Sequence, residues 1–193
     1  MRQLLALKWR LLPLAAAAVV LCIPIANAAL NHRRVDQIAQ AAESKLRAAP
    51  AAQTISGIPR RIVIPSLSID LPVISQSYSE STKSWPVSNT DANYASSTAP
   101  VNNSQAETLI YGHSTRAIFG PLLKLSPQAI AYVYTDNGHL FKYLYTGSQD
   151  VTPYKLSIFQ DMAKAPAGLK LITCDGPYFQ YRRLMSFKLL QAS

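Results

Sequence analysis

The residues with the clearest chemical potential lie near the C-terminus, in Leu169-Lys-Leu-Ile-Thr-Cys174-Asp-Gly-Pro177 and then Tyr181-Arg182-Arg183-Leu-Met-Ser-Phe187. Two short strand-like runs enclose a loop containing Gly176 and Pro177, the pattern of a hairpin. Facing residues of paired strands are about 5 Å apart, so a guanidinium from Arg182 or Arg183 is expected beside the Cys174 thiol. A neighbouring cation favours the thiolate, and a charged donor stabilises an anionic intermediate. The competing reading is that a cysteine after an apolar strand is only a small buried hydrophobe. A sulfur nucleophile also needs a group that moves protons, usually histidine. His113 follows Tyr111-Gly112 at the end of a strand-like run, His139 follows a hairpin turn, and His32 sits beside the apolar N-terminal segment. Functional groups gather where strands give way to loops, which puts His113 ahead; the alternative for either domain histidine is an ordinary surface imidazole. The sequence has no histidine pair at helical spacing, no acidic cluster and no phosphate-cradling glycine loop, so neither a metal nor a cofactor is expected.

These residues need a framework, and the 193-residue chain is long enough for one domain plus an appendage. Apolar residues make up 49%, as a packed core requires. The formal charge of +9 is unevenly placed: seven basic and two acidic residues precede Gly57, twelve and eight follow it. Excess positive charge near one end suits a membrane-proximal segment better than a nucleic-acid footprint. From Leu11 to Leu30 there are twenty residues without charge, preceded by Arg2, Lys8 and Arg10. That length would span a bilayer with the N-terminus in the cytoplasm, and residues 1–30 are read as an uncleaved anchor. A signal peptide cleaved after Ala26-Asn-Ala28 is the alternative; in both cases the remainder lies outside the cytoplasm. Cys22 belongs to the apolar segment, which leaves Cys174 a lone thiol in an oxidising compartment and a candidate nucleophile.

Residues 31–57 read as a helical stalk and linker. Val35, Ile38, Ala39, Ala42 and Leu46 recur at helical spacing, and Pro50 ends the run. Residues 58–193 form the domain, and the pattern there is β. Arg61–Pro65 and Ile69–Ile74 are β-branched and cut by prolines, Tyr78–Gln105 is predicted to be a polar surface excursion, and Thr108–His113 is a strand. Ala117–Leu125 reads as a short broken helix. Ile130–Tyr134 and Leu140–Tyr145 flank Asp136-Asn-Gly138, a hairpin with an expected type I′ turn. Asp150–Phe159 reads as a further partial strand and turn. Many short strands with turn signals imply a barrel or sandwich.

The order His113, Cys174, arginine, together with Ile62-Val-Ile-Pro65, Leu71-Pro-Val73, Trp85-Pro-Val87, Thr98-Ala-Pro100, Leu109-Ile-Tyr-Gly-His113, Phe119 with Leu122–Leu125, and Leu171-Ile-Thr-Cys174, resembles the sortase family of surface-protein transpeptidases. The resemblance extends from about Ile58 to Leu190. It implies a mainly β fold, a closed sortase-type barrel with short helices, behind a membrane helix and stalk. It implies that Cys174 attacks a backbone carbonyl in the C-terminal sorting motif of a secreted protein. His113 would protonate the departing amine and deprotonate the incoming one, while an arginine supports substrate backbone or oxyanion. The acceptor would be an amine such as a peptidoglycan precursor or a pilin lysine; membrane lipid is the other partner, and no nucleic acid is expected. Thr173 would shape the pocket beside the nucleophile. Strand alternation chooses the arginine. Arg183 shares a face with Met185, Phe187 and Leu189, whereas Arg182 shares one with Leu184, Ser186 and Lys188. An apolar substrate groove should lie on the first face, which selects Arg183 with Met185 and Phe187 as lining residues and leaves Arg182 as the alternative. No acidic set matches the calcium site of some members, and no Asp-Pro-aromatic lid is present.

Two other readings compete. An L,D-transpeptidase also uses cysteine and histidine outside the membrane, but its glycine-cysteine signature is missing, since Ile172-Thr173 precedes Cys174. A tethered β-barrel binding module would leave Cys174 inert and turn the basic residues toward envelope phosphates.

Overall fold

The computed structural model describes residues 12–48, 53–82, 84–153 and 157–193, with side chains in the first helix from position 27 onward. Ten strands follow helix α1 (Leu12–Ala48): β1 (Ser56–Gly57), β2 (Pro59–Ile64), β3 (Ile69–Gln76), β4 (Ala92–Ala95), β5 (Val101–Asn102), β6 (Glu107–Tyr111), β7 (Ile130–Thr135), β8 (Leu140–Val151), β9 (Gly168–Asp175) and β10 (Tyr181–Ala192). Helix α2 (Ser157–Lys164) lies between β8 and β9. Eight of the strands close into a barrel in the order β10-β8-β7-β2-β3-β4-β6-β9, and β1 pairs with β5 outside it. Closure leaves the barrel no free edge, the usual hazard of an antiparallel sheet.

The barrel is filled by the inward residues of each strand, among them Ile62, Ile110, Phe141, Tyr143, Leu171 and Met185, all fully buried or nearly so. Parallel pairing of β6 with β9 places the end of one strand beside the end of the other, from Glu107 opposite Gly168 to Tyr111 opposite Ile172. Antiparallel pairing of β9 with β10 closes the hairpin expected around Gly176. Gly176 adopts a φ of 80°, a left-handed conformation that glycine takes without a Cβ penalty.

Three expectations about local structure are corrected. The polar excursion 78–105 contains a barrel strand, β4, whose four residues are all buried. Its polar member, Asn93, is tolerated because its side chain accepts from Ser88 N (3.0 Å) and donates to Tyr111 O (3.2 Å). The turn at 136–138 is not type I′: only Gly138 has a positive φ, and Gly138 N donates to Thr135 O. The Asn137 side chain is used instead, donating to Ser56 O at 2.7 Å to pin β1. Finally, the expected strand and turn after Asp150 is the end of β8 followed by α2.

Helix α1 packs on the barrel wall. Val35, Ala42 and Leu46 are buried against Val63, Tyr132 and Leu140. Glu43 lies 2.6 Å from Lys142 Nζ and also accepts from the Tyr132 hydroxyl; these hydrogen bonds hold the Glu43 carboxyl below the usual carboxylate range. Met1–Leu11 of the expected anchor lie outside the described residues. Among the described residues, no helix is long and apolar enough to cross a membrane.

Candidate active site

The site is assembled by strand register. Along β6 and β9 the partners differ by a constant sixty-one positions, from Glu107/Gly168 to Tyr111/Ile172. The hydrogen bonding continues past the last of these pairs. Gly112 N donates to Ile172 O at 3.1 Å, and Thr173 Oγ1 donates to Gly112 O at 3.0 Å. Two positions past the end of β6, the same sixty-one-residue offset directs His113 toward Cys174 near the end of β9. Phe119 N donates to His113 O at 3.0 Å, so the backbone leaving the histidine is also fixed. Gly112 lets the strand end pack closely, because a Cβ would stand 2.9 Å from Ile118 Cγ2 and 3.1 Å from Phe119.

On the other side of the nucleophile, β10 sets Arg182 opposite Cys174 and Arg183 opposite Thr173. Paired residues share a sheet face. The Cys174 face carries Ile172 and Leu184, which pack with Leu109, Tyr111 and Val151 on the outside of the barrel. The Thr173 face carries Leu171, Met185 and Phe187, which belong to the barrel interior. Met185 and Phe187 were expected to line the substrate groove. They are 0% and 2% exposed, and the face they share with Arg183 points into the core. The alternation argument for Arg183 is therefore corrected: both faces of β10 are apolar, and the face bearing the thiol is Arg182's.

The two guanidinium groups differ in their surroundings. Arg182 Nη1 donates to Phe179 O (2.9 Å) and Tyr181 O (3.0 Å), which leaves its other nitrogens free of protein acceptors among the described residues. Arg183 bridges two carboxylates: Nη2 donates to Asp175 Oδ2 at 2.6 Å, and Nε lies 2.6 Å from Asp150 Oδ1. The Nε contact is an ion pair without hydrogen-bond alignment, and that buried nitrogen has no other acceptor. Cys174 is partly exposed and free, as attack on an incoming carbonyl requires. Thr173 is 1% exposed, and its hydroxyl is committed to the Gly112 carbonyl. His139 is far from this cluster, where Nδ1 meets Ser193 O at 3.1 Å.

The sequence reading missed the cover over this face. Trp85 stacks on Phe159 of α2 with ring centroids 6.0 Å apart, and meets Tyr78 and Tyr111 edge-on. Tyr111 donates its hydroxyl to Pro86 O at 2.7 Å. Alternation from His113 would have placed Tyr111 on the same face two residues earlier. The helical signs in the short α2 were the apolar pairs Ile158/Met162 and Phe159/Ala163 at i, i+4. Among the described residues no group of His, Cys, Asp and Glu could hold a metal ion.

Comparison with known proteins adds the following. The family model described as "Sortase domain" matches residues 62–188, more than half of the chain. No curated protein matches it in sequence. Sortase C1 from Streptococcus agalactiae is 21% identical over 67% of this chain and 66% of its own, with a TM-score of 0.55. Sortase A from Corynebacterium diphtheriae is 20% identical over 70% of this chain and 62% of its own, with a TM-score of 0.56. Sortase A from Listeria monocytogenes is 19% identical over 71% and 90%, with a TM-score of 0.55. The chain thus spans slightly less than two thirds of the first two relatives, and at these identities the likeness is one of fold.

Proposed function

Given that the chain belongs to the sortase family, established by the match over residues 62–188, we propose that it is a cysteine transpeptidase acting outside the cytoplasm. The observation that supports this reading is the β9–β10 register, which sets Arg182 opposite Cys174, beside a β6–β9 pairing that leads toward His113 at the same end of β9. Cys174 attacks a backbone carbonyl of a sorting motif in a secreted protein, forming a thioester and releasing the C-terminal fragment as an amine. His113 gives that amine its proton. It then takes one from the incoming amine, a peptidoglycan precursor or a pilin lysine, as the thioester is replaced by a new amide. Arg182 donates to the substrate backbone or to the oxyanion of each tetrahedral intermediate. Arg183 is the second reading, favoured by its fixed position between Asp150 and Asp175. Residues 1–30 anchor the enzyme in the membrane, 31–57 form stalk and linker, and 58–193 the catalytic barrel.

The test is a peptide-library cleavage assay on the full chain, with and without added amines. The expected result is one preferred motif, with amine transfer exceeding hydrolysis, and complete loss of covalent peptide capture in Cys174→Ala with unchanged thermal unfolding. Covalent capture surviving in that variant would refute the assignment. A folded protein whose thiol reacts no faster than free cysteine and is not protected by any peptide would favour the binding module.

A further inference from the structure

On a part of the barrel wall that the mechanism does not use, a hollow of about 310 Å³ opens between α1 and the β2–β3 pair. It is lined by Arg34, Arg60, Arg61, Asp70 and Pro72. Asp70 is its one carboxylate, with a side chain only 11% exposed. Arg61 meets both of its oxygens, Nε to Oδ1 at 2.7 Å and Nη2 to Oδ2 at 2.9 Å, and Arg34 Nη2 stands 3.3 Å from Oδ2. The Arg61 guanidinium also lies over the Tyr134 ring, 5.7 Å from its centroid. One carboxylate thus fixes the Arg61 fork by two hydrogen bonds, draws in Arg34 through an ion pair, and cancels a single charge. Two positive charges remain directed at the same space, with Arg34 69% exposed and Arg60 exposed to solvent.

Guanidinium forks match the oxygen geometry of phosphate, and a pre-oriented fork loses less freedom on binding than a mobile lysine. We propose that this hollow binds a phosphate group. The burial of Asp70 and its two hydrogen bonds with Arg61 set that guanidinium plane in advance, a fixed positive wall beside the freer Arg34 and Arg60. Arg34 lies four residues beyond Leu30, the last residue of the uncharged run. At 1.5 Å per helical residue that is about 6 Å. If residues 1–30 are an anchor, as proposed above, the hollow stands at the level of lipid headgroups, and the phosphate is a headgroup's. A soluble phosphate ester or an envelope polymer offers the same chemistry, so the two sources are separated by experiment.

The full chain in neutral sugar-detergent micelles is titrated in one arm with phosphatidylglycerol against a neutral diacylglycerol control, and in the other with glycerol phosphate. Thermal unfolding is followed by circular dichroism. A rise in the midpoint with the lipid alone assigns the headgroup; a rise with both assigns phosphate from either source. Arg34→Gln and Arg60→Gln each leave the Arg61–Asp70 pair intact and are expected to weaken binding roughly fivefold, the double variant more than tenfold. Arg33→Gln removes the same charge one residue away, outside the hollow, and should change the affinity less than twofold. No midpoint shift in either arm overturns the proposal, and so does an Arg33→Gln effect equal to that of Arg34→Gln, which would mean unspecific attraction. Peptide cleavage, measured on the same samples, tests the enzymatic reading separately.

Discussion

Strands β9 and β10 have two apolar faces with different work to do. Inward, Leu171, Met185 and Phe187 fill a closed barrel and meet nothing that enters from solution. Outward, Ile172 and Leu184 lie under Trp85 and α2, a cover formed by aromatic stacking and an eight-residue helix. The inner face is sealed by eight strands, the outer by two short loop-borne elements. On this scaffold, then, the outer face is the one open to the peptide proposed above, and the thiol is on it. A residue's partner across the hairpin decides its role more directly than its hydrophobicity does.

The largest effect expected from crossing the two faces is on stability. Phe187→Ala removes a side chain 2% exposed inside the barrel, at a cost of about 3–5 kcal/mol. That corresponds to a fall of roughly 10 °C in the unfolding midpoint. Selectivity among peptides should be unchanged in the folded fraction. Ile172→Ala, on the half-buried outer face, should do the reverse, lowering kcat/KM for the preferred peptide about tenfold with a smaller change in midpoint. Altered peptide choice in Phe187→Ala with normal stability would show that the faces are assigned the wrong way round.

The two arginines sharpen the comparison. Arg182→Lys keeps the charge but loses the planar fork beside Cys174, and kcat/KM should drop about 10²-fold. Arg183→Lys weakens the bridge between Asp150 and Asp175. With the side chain a third exposed, the loss of stability is about 1 kcal/mol or less after solvent screening, and turnover should change only a few-fold. Kinetics in which Arg183→Lys is the more damaged would transfer the catalytic role to Arg183.

Much of this was readable in the sequence, for physical reasons that also explain what was not. Cys174 and His113 stood out as candidates because each lies where an apolar strand gives way to a loop, and the β-branched runs around Ile62 and Leu71 belong to the barrel strands β2 and β3. Strand β4 was hidden because Asn93 looks like surface, yet its amide is satisfied by backbone partners inside the wall. Helix α2 was hidden because it is only eight residues long, with Ile158, Phe159 and Met162 as its packing residues. The alternation argument used to choose between the arginines lost its premise for a related reason. Covering the outer wall with α2 makes Leu184 as buried as Met185, and the polar-apolar alternation that marks an inside is lost.

The smallest expected effect tests whether the inner face also serves the outer one. Thr173 points inward, yet its hydroxyl holds the Gly112 carbonyl immediately before His113. Thr173→Val preserves shape and leaves that carbonyl without its donor, at a cost of about 1–3 kcal/mol. If the bond merely adds stability, the midpoint falls and kcat does not. If it positions the imidazole, kcat also falls several-fold while KM and alkylation of Cys174 in the free enzyme stay nearly constant, because the thiol and the groove are untouched. Thr173→Ser should restore kcat, since the hydroxyl is kept and only a methyl group is lost. Failure of serine to restore it would assign the role to the methyl group and its packing instead of to the hydrogen bond.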